Sequence, residues 1–226
     1  MKNILKSILP VLLLAVLASC GKDNYDAPKS TLKGHVTYNG QALNVRGTGE
    51  AVRLQLYQDG YDKHDPINVF VGQDGAFSAK LFDGEYKMVT RDGNGPWVNK
   101  RDTVKFVLKG SATVDMEVTP FFTVSNEKLA VSGNTYTASF TINQVVSTSE
   151  IDYAIILLSK TQFADDVNNL FRKDFSDVKA GSVNLSATFD EGKAAEISNA
   201  KALFARVGVR AKGADQAIYS PVVRIR

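Results

Sequence analysis

From Leu32 onward, apolar residues recur at every second position. Leu32, Gly34, Val36 and Tyr38 alternate with Lys33, His35 and Thr37, the period that sends successive side chains to opposite faces of a β-strand. Asn39-Gly40 follows, a pair that tolerates positive φ and so predicts a hairpin turn. The same period returns at Val52, Leu54 and Leu56, and again at Ile67, Val69 and Val71. Gln73-Asp74-Gly75 turns into Phe77 to Leu81, and Phe82-Asp83-Gly84 into Tyr86 and Met88. Val104, Phe106 and Leu108 come next, and beyond Lys109-Gly110-Ser111 lie Val114, Met116 and Val118. Short strands separated by Gly-bearing turns predict a β-sandwich over residues 31–119.

Thr119-Pro120 marks a boundary, because proline cannot donate to a strand ladder. Alternation resumes at Phe122-Thr123-Val124 and over Tyr136, Ala138, Phe140 and Ile142. Ile151 to Leu158 is apolar apart from Asp152, the composition of a central strand. The period then changes: Phe163, Val167, Leu170 and Phe171 fall at i, i+4, i+7 and i+8, predicting a short helix with Thr161 as its N-cap. Val183 to Phe189, Leu203 to Ala211 and, after Lys212-Gly213, Ile218 to Ile225 complete a second sandwich over residues 120–226. The predicted fold class is all-β: two tandem β-sandwich domains, the second with one short helix.

The N-terminus follows another pattern. Lys2 and Lys6 precede an apolar run from Ile8 to Leu17, broken only by Pro10. It falls short of the ~20 residues that span a bilayer and has the length of a signal-peptide core. Leu17-Ala18-Ser19-Cys20 resembles a bacterial lipobox, and the chain's only cysteine falls on the position that is acylated there. The resemblance implies that residues 1–19 are a signal peptide and that Cys20 carries lipid; a plain secretory signal with an incidental cysteine is the alternative. Residues 20–30 are polar, include Pro28, and predict a flexible tether. Lys22-Asp23 resembles the charged signal that sends Bacteroidota lipoproteins to the outer face of the outer membrane.

Removing that signal changes the charge picture. Without Lys2 and Lys6 the 27 basic residues become 25 against 24 acidic ones. A net charge near +1 with no basic stripe argues against nucleic acid as a partner. With Cys20 acylated no thiol remains for a disulfide, so the core must supply the stability.

Three resemblances add to this. LKGHVTYNGQAL, VRLQLY and GQDGAFSAKLFDGEYKMV resemble the carboxypeptidase regulatory-like, or transthyretin-like, domain, with Gly34, Val36, Asp74, Gly75, Phe77, Gly84 and Tyr86 at its pattern positions. ALFARVGVRAKGADQAIYSPVVRIR resembles the last two strands of a fibronectin type III-like or immunoglobulin-like sandwich. Through the lipobox, GHVTYNGQAL, DGEY, GNGPWVN, VTPFF and the RVGVR–YSPVV ending, the chain resembles a family of two-domain Bacteroidota lipoproteins of unknown function, often encoded beside SusC/SusD-type glycan-uptake proteins. That resemblance implies a lipid-anchored, non-enzymatic accessory protein of the outer membrane, exposed at the cell surface, that binds glycan or scaffolds an uptake complex with SusC/SusD-type partners. A structural or adhesive surface protein docking another protein is the alternative, and a cryptic glycan-active enzyme a third.

Candidate chemistry concentrates in Arg91–Asp102, RDGNGPWVNKRD, which holds the only tryptophan. Trp97 could serve as a stacking plate for a sugar ring, with Asp92, Asn94 and Asn99 as hydrogen-bond partners. The alternative is that it plugs the end of the sandwich or the junction with the second domain, the reading that the usual burial of large aromatics favours. Asp92-Gly93-Asn94-Gly95 departs from a calcium loop at Pro96 and Trp97. His64 beside Asp62 and Asp65 reads as a solvated loop, because three such residues within four positions rarely converge on one metal ion. No cofactor is expected. The sequence holds no G-x-S-x-G, H-E-x-x-H or P-loop, and no enzymatic activity is expected. Arg206 and Arg210 form either a ligand-facing pair or, more commonly for such positions, the solvated side of a strand.

Overall fold

The computed structural model describes residues 26–60 and 64–226. The lipobox, Cys20, most of the tether and Asp62 lie outside these residues.

The first domain is a sandwich of two sheets. β1 (Ser30–Tyr38) is central to one of them, flanked antiparallel by β2 (Gln41–Ala42) and later by β5 (Ala76–Leu81). The other sheet has the order β4-β3-β6-β7 and is antiparallel throughout, formed by β3 (Arg53–Gln58), β4 (Ile67–Phe70), β6 (Gly84–Thr90) and β7 (Val104–Leu108). The predicted strand at Val114–Val118 is instead two short pieces, β8 (Ser111–Thr113) and β9 (Met116–Glu117), both parallel to β1. Gly34 explains part of that arrangement. A Cβ there would lie 1.9 Å from the Val114 carbonyl oxygen, so only glycine lets this segment approach β1. The Asn39-Gly40 hairpin forms as expected: Tyr38 pairs with Gln41 and both turn residues have positive φ.

The second domain also has two sheets. One has the order β10-β11-β14, from β10 (Phe122–Ser132), β11 (Thr135–Gln144) and β14 (Gly181–Thr188). The other has the order β13-β12-β15-β16, from β12 (Ile151–Ser159), β13 (Phe171–Phe175), β15 (Phe204–Ala211) and β16 (Ile218–Tyr219), and β17 (Val223–Arg224) also pairs with β15. The continuous apolar run of β12 has a physical cause. Ala154, Ile156 and Leu158 face the main core, while Ile155 and Leu157 pack with Ala217 and Tyr219 on the opposite face. Both faces of the strand are covered, so neither can be polar.

The predicted helix over 161–171 does not form. Residues 160–170 are an ordered loop, and Phe171 already belongs to β13. The Asp165 carboxylate accepts the backbone N–H groups of Val167 and Asn168, a local alternative to helical hydrogen bonding. Thr161 caps no helix; its hydroxyl serves the backbone of Phe163. Phe163 and Val167, expected on the buried face, are each 55% exposed. The α-helix lies instead at α1 (Glu191–Ser198), where Asp190 accepts the N–H of Lys193 as the N-cap. Only Ile197 of α1 is fully buried, so its apolar period is too faint to read.

The main core is continuous from one domain into the other, running from Leu32 through Met116, Val118 and Phe122 to Ile218. The two sandwiches share it at their junction.

Candidate functional site

The Arg91–Asp102 loop is built into that junction. Trp97 is 2% exposed and forms an isolated bridge with Pro120. Around it the backbone is tied to the domain boundary: Val98 donates to the carbonyl of Thr119, the last residue of the first domain, at 2.9 Å, and Phe121 of the second domain to that of Pro96 at 3.1 Å. Gly95 lies flat on the indole with φ of 101°, and a Cβ there would sit 2.4 Å from the ring. Glycine is therefore required twice over at this position, for conformation and for space. The indole Nε1 is buried with no hydrogen-bond partner among the described residues.

Asn94 is equally enclosed. Its Oδ1 accepts the N–H of Arg53 at 2.8 Å, and its Nδ2 donates to the Ala51 carbonyl at 2.8 Å and to Asp215 of the second domain at 2.9 Å. The other Asp215 oxygen accepts the Gly95 N–H at 2.8 Å. Asp92 lies outside this knot, exposed and paired with Arg101, and Asn99 is exposed as well. Trp97 and Asn94 thus face the interior and Asp92 and Asn99 face solvent. The four do not converge on one open surface.

Arg206 and Arg210 share the outer face of β15 but part company along it. Arg206 is wholly buried. Its Nε donates to the Ser220 carbonyl, Nη1 to Ala164, and Nη2 to Val45 and Gln73, at 2.8–3.2 Å. Two of those carbonyls belong to each domain. Its guanidinium lies 4.4 Å from the Tyr219 ring centroid, and no carboxylate comes within ion-pair distance among the described residues. Burial lowers its pKa to about 10, so it stays charged at neutral pH. Beside it, Thr48 donates to Asp165 at 2.9 Å, Gln73 to the Gln162 carbonyl at 2.9 Å, and Arg46 pairs with Asp166 at 3.6 Å. Burial pushes the Asp165 carboxyl up, but the donors from Asn168, Thr48 and Val167 outweigh it and hold the group below its usual range. Arg210 is partly exposed, bound to Asp152 through Nε and Nη2 and lying 4.8 Å from the Tyr153 ring centroid.

Open concave surface lies elsewhere. The clearest is a cleft of about 420 Å³ between the end of β1, β9 and the downstream half of the Trp97 loop. Thr90, Val104, Met116 and Val118 form its floor. Tyr38, Asn39, Lys100, Asp102, Asp115 and Glu117 form its rim. The rim is braced: Glu117 accepts the Thr37 hydroxyl at 2.7 Å and the Asn39 N–H, and Asp115 accepts the His35 N–H at 2.8 Å. Neither Tyr38 nor Glu117 stands out in sequence, because these residues meet only through the parallel pairing of β9 with β1. His64 and Asp65 are exposed. Among the described residues no group of three or more His, Cys, Asp or Glu is placed to hold a metal ion, and no helix is long and apolar enough to cross a membrane.

Residues 30–119 match the family described as "Protein of unknown function (DUF3823) N-terminal domain", and residues 122–224 match "Domain of unknown function (DUF3823_C)". A DUF3823 family protein from Parabacteroides merdae is 66% identical over 89% of this chain and 100% of its own, with a TM-score of 0.85. One from Bacteroides ovatus is 31% identical over 87% of this chain and 98% of its own, with a TM-score of 0.77. A protein from Bacteroides uniformis described as "a putative carbohydrate binding protein" shares the fold, at 19% identity over 88% and 99% of the two chains and a TM-score of 0.73. No curated protein matches the chain.

Proposed function

This chain belongs to the DUF3823 family, and from that premise we propose that it is a lipid-anchored accessory protein of the outer membrane that binds glycan at the cell surface. The observation that carries the reading is the cleft beside Tyr38. It has the size of a small-molecule site, a floor that is apolar apart from Thr90, and polar groups at its rim that are held in place by their own hydrogen bonds. Aromatic and apolar surface suits the C–H faces of sugar rings, while carboxylates and amides suit their hydroxyls. The B. uniformis protein of the same fold, described in carbohydrate-binding terms, is in keeping with this role. The anchor rests on the lipobox-like Leu17–Cys20 and the surface location on Lys22-Asp23. The role is binding, not turnover: oligosaccharides incubated with the protein are expected to be recovered uncleaved.

A second reading is favoured by one feature. Phe163 and Val167 stand exposed on the 160–170 loop, whose backbone is fixed by Asp165, Asn168 and Arg206. A rigid loop presenting apolar side chains suits docking to another protein, such as a SusC/SusD-type uptake complex.

Two measurements test the proposal. Titration of the purified protein with a panel of glycans is expected to give saturable binding, and an empty panel would remove the glycan role. Cys20→Ala is expected to move the protein from the membrane to the soluble fraction, since the acyl chains supply the anchor. Retention of Cys20→Ala in the detergent phase of a partition assay would count against lipidation.

A further inference from the structure

Resting on that glycan-binding reading, we infer that the ligand is an uncharged oligosaccharide, held along a groove that runs from the first-domain cleft, across Tyr38, to the seam with the second domain. A second cleft, of about 260 Å³, is lined by the β1–β2 hairpin and the segment that follows it. Its lining combines Gln41 and Asn44 of the first domain with Thr123 and Tyr219 of the second. Tyr38 and Asn39 line both clefts. Because the two clefts share these residues they adjoin at Tyr38, and a pair of adjoining clefts suits a chain of sugar rings better than a single ring.

Charge narrows the class. Every side chain lining the seam cleft is uncharged, and three of them are the amides of Asn39, Gln41 and Asn44. Each amide offers two donors and an acceptor, which matches hydroxyls that both give and take hydrogen bonds. In the first cleft Asp102, Asp115 and Glu117 face a single cation, Lys100. A uronate or sulfated sugar would bring its anion against this excess of negative charge. Neutral hydroxyls would donate to the same carboxylates in short, charge-assisted bonds.

The shared wall is rigid. Asn39 is held at φ 50° with its N–H on Glu117, and Tyr38 packs one flank against the main core. Little order is lost there on binding.

Calorimetric titration of the full-length protein with malto-, cello-, manno- and xylo-oligosaccharides of rising length tests this, beside oligogalacturonides and sulfated dextran. The expected result is binding to at least one neutral series, with affinity rising from the monosaccharide upward. Tyr38→Ala is expected to weaken that binding about tenfold or more, and Tyr38→Phe to keep most of it, since the plate remains. If Tyr38→Ala fails to fold, Gln41→Ala, at an exposed hairpin position, serves instead and is expected to weaken only the longer chains. Preferential binding of the acidic glycans would overturn the uncharged-ligand inference and leave the glycan role standing. Neutral binding that is independent of length, or indifferent to both Tyr38→Ala and Gln41→Ala, would overturn the groove. No binding in any series would remove the glycan role itself.

Discussion

Trp97→Ala is expected to lower the stability of the folded protein by about 3–5 kcal/mol, the cost of emptying a fully buried aromatic site. For a chain of this size that corresponds to a fall in melting temperature of roughly 6–20 °C. The cavity would open at the worst place, where the Trp97–Pro120 bridge and the Phe121 bond to the Pro96 carbonyl tie the first domain to the second. Collapse of the surroundings is blocked on one side, because Gly95 already lies against the indole and Asn94 is fixed by Arg53, Ala51 and Asp215. Urea unfolding of Trp97→Ala beside the parent measures the loss. Fluorescence of the parent supplies an independent check, since it has one tryptophan: emission should be blue-shifted and resist acrylamide. A loss below about 1 kcal/mol, outside the range for emptying a buried aromatic site, or an emission readily quenched, would contradict the buried plug.

The residues that were easiest to read in sequence are those whose surroundings are local. Leu32 to Tyr38 and Tyr136 to Ile142 alternate because each strand has one buried and one wetter face, and that asymmetry is written directly into the chain. The Asn39-Gly40 turn was legible for the same reason. The 160–170 segment misled because helical spacing of four apolar residues says nothing of Asp165, whose carboxylate captures the N–H groups a helix would use. α1 was missed in turn because a helix that buries little beyond Ile197 needs little periodicity. Candidate sites fared according to range. Trp97 announced its burial through its size alone. The cleft beside Tyr38 could not be seen, since its walls come from β1, β9 and the Trp97 loop. Arg206 was least legible of all: its partners Val45 and Gln73 lie 161 and 133 residues away, and nothing in an alternating strand distinguishes a guanidinium in water from one in a core.

That hidden arginine carries the other large effect. Arg206→Met keeps much of the side-chain volume but removes every donor, leaving the carbonyls of Ser220, Ala164 and Val45 facing an apolar group in the seam, while that of Gln73 keeps the Val45 N–H. An unsatisfied buried acceptor costs about 1–3 kcal/mol. Some of that is offset, because the buried charge and its desolvation penalty disappear with the guanidinium. Several such acceptors, less that offset, give an expected net loss of about 3–5 kcal/mol. Arg206→Lys should fall between, since a compact ammonium with three donors cannot span carbonyls set around a planar fork. Arg210→Met is the control on the same strand: its bond to Asp152 is partly exposed, and such pairs contribute about 0–1 kcal/mol. The seam predicts a change in the form of unfolding as well as its midpoint. Val45 and Gln73 belong to one sandwich and Ala164 and Ser220 to the other, so the parent should unfold in one cooperative step and Arg206→Met with a broadened or divided transition. Equal denaturation midpoints and equal slopes for Arg206→Met and Arg210→Met would show that the two sandwiches are held together without the arginine.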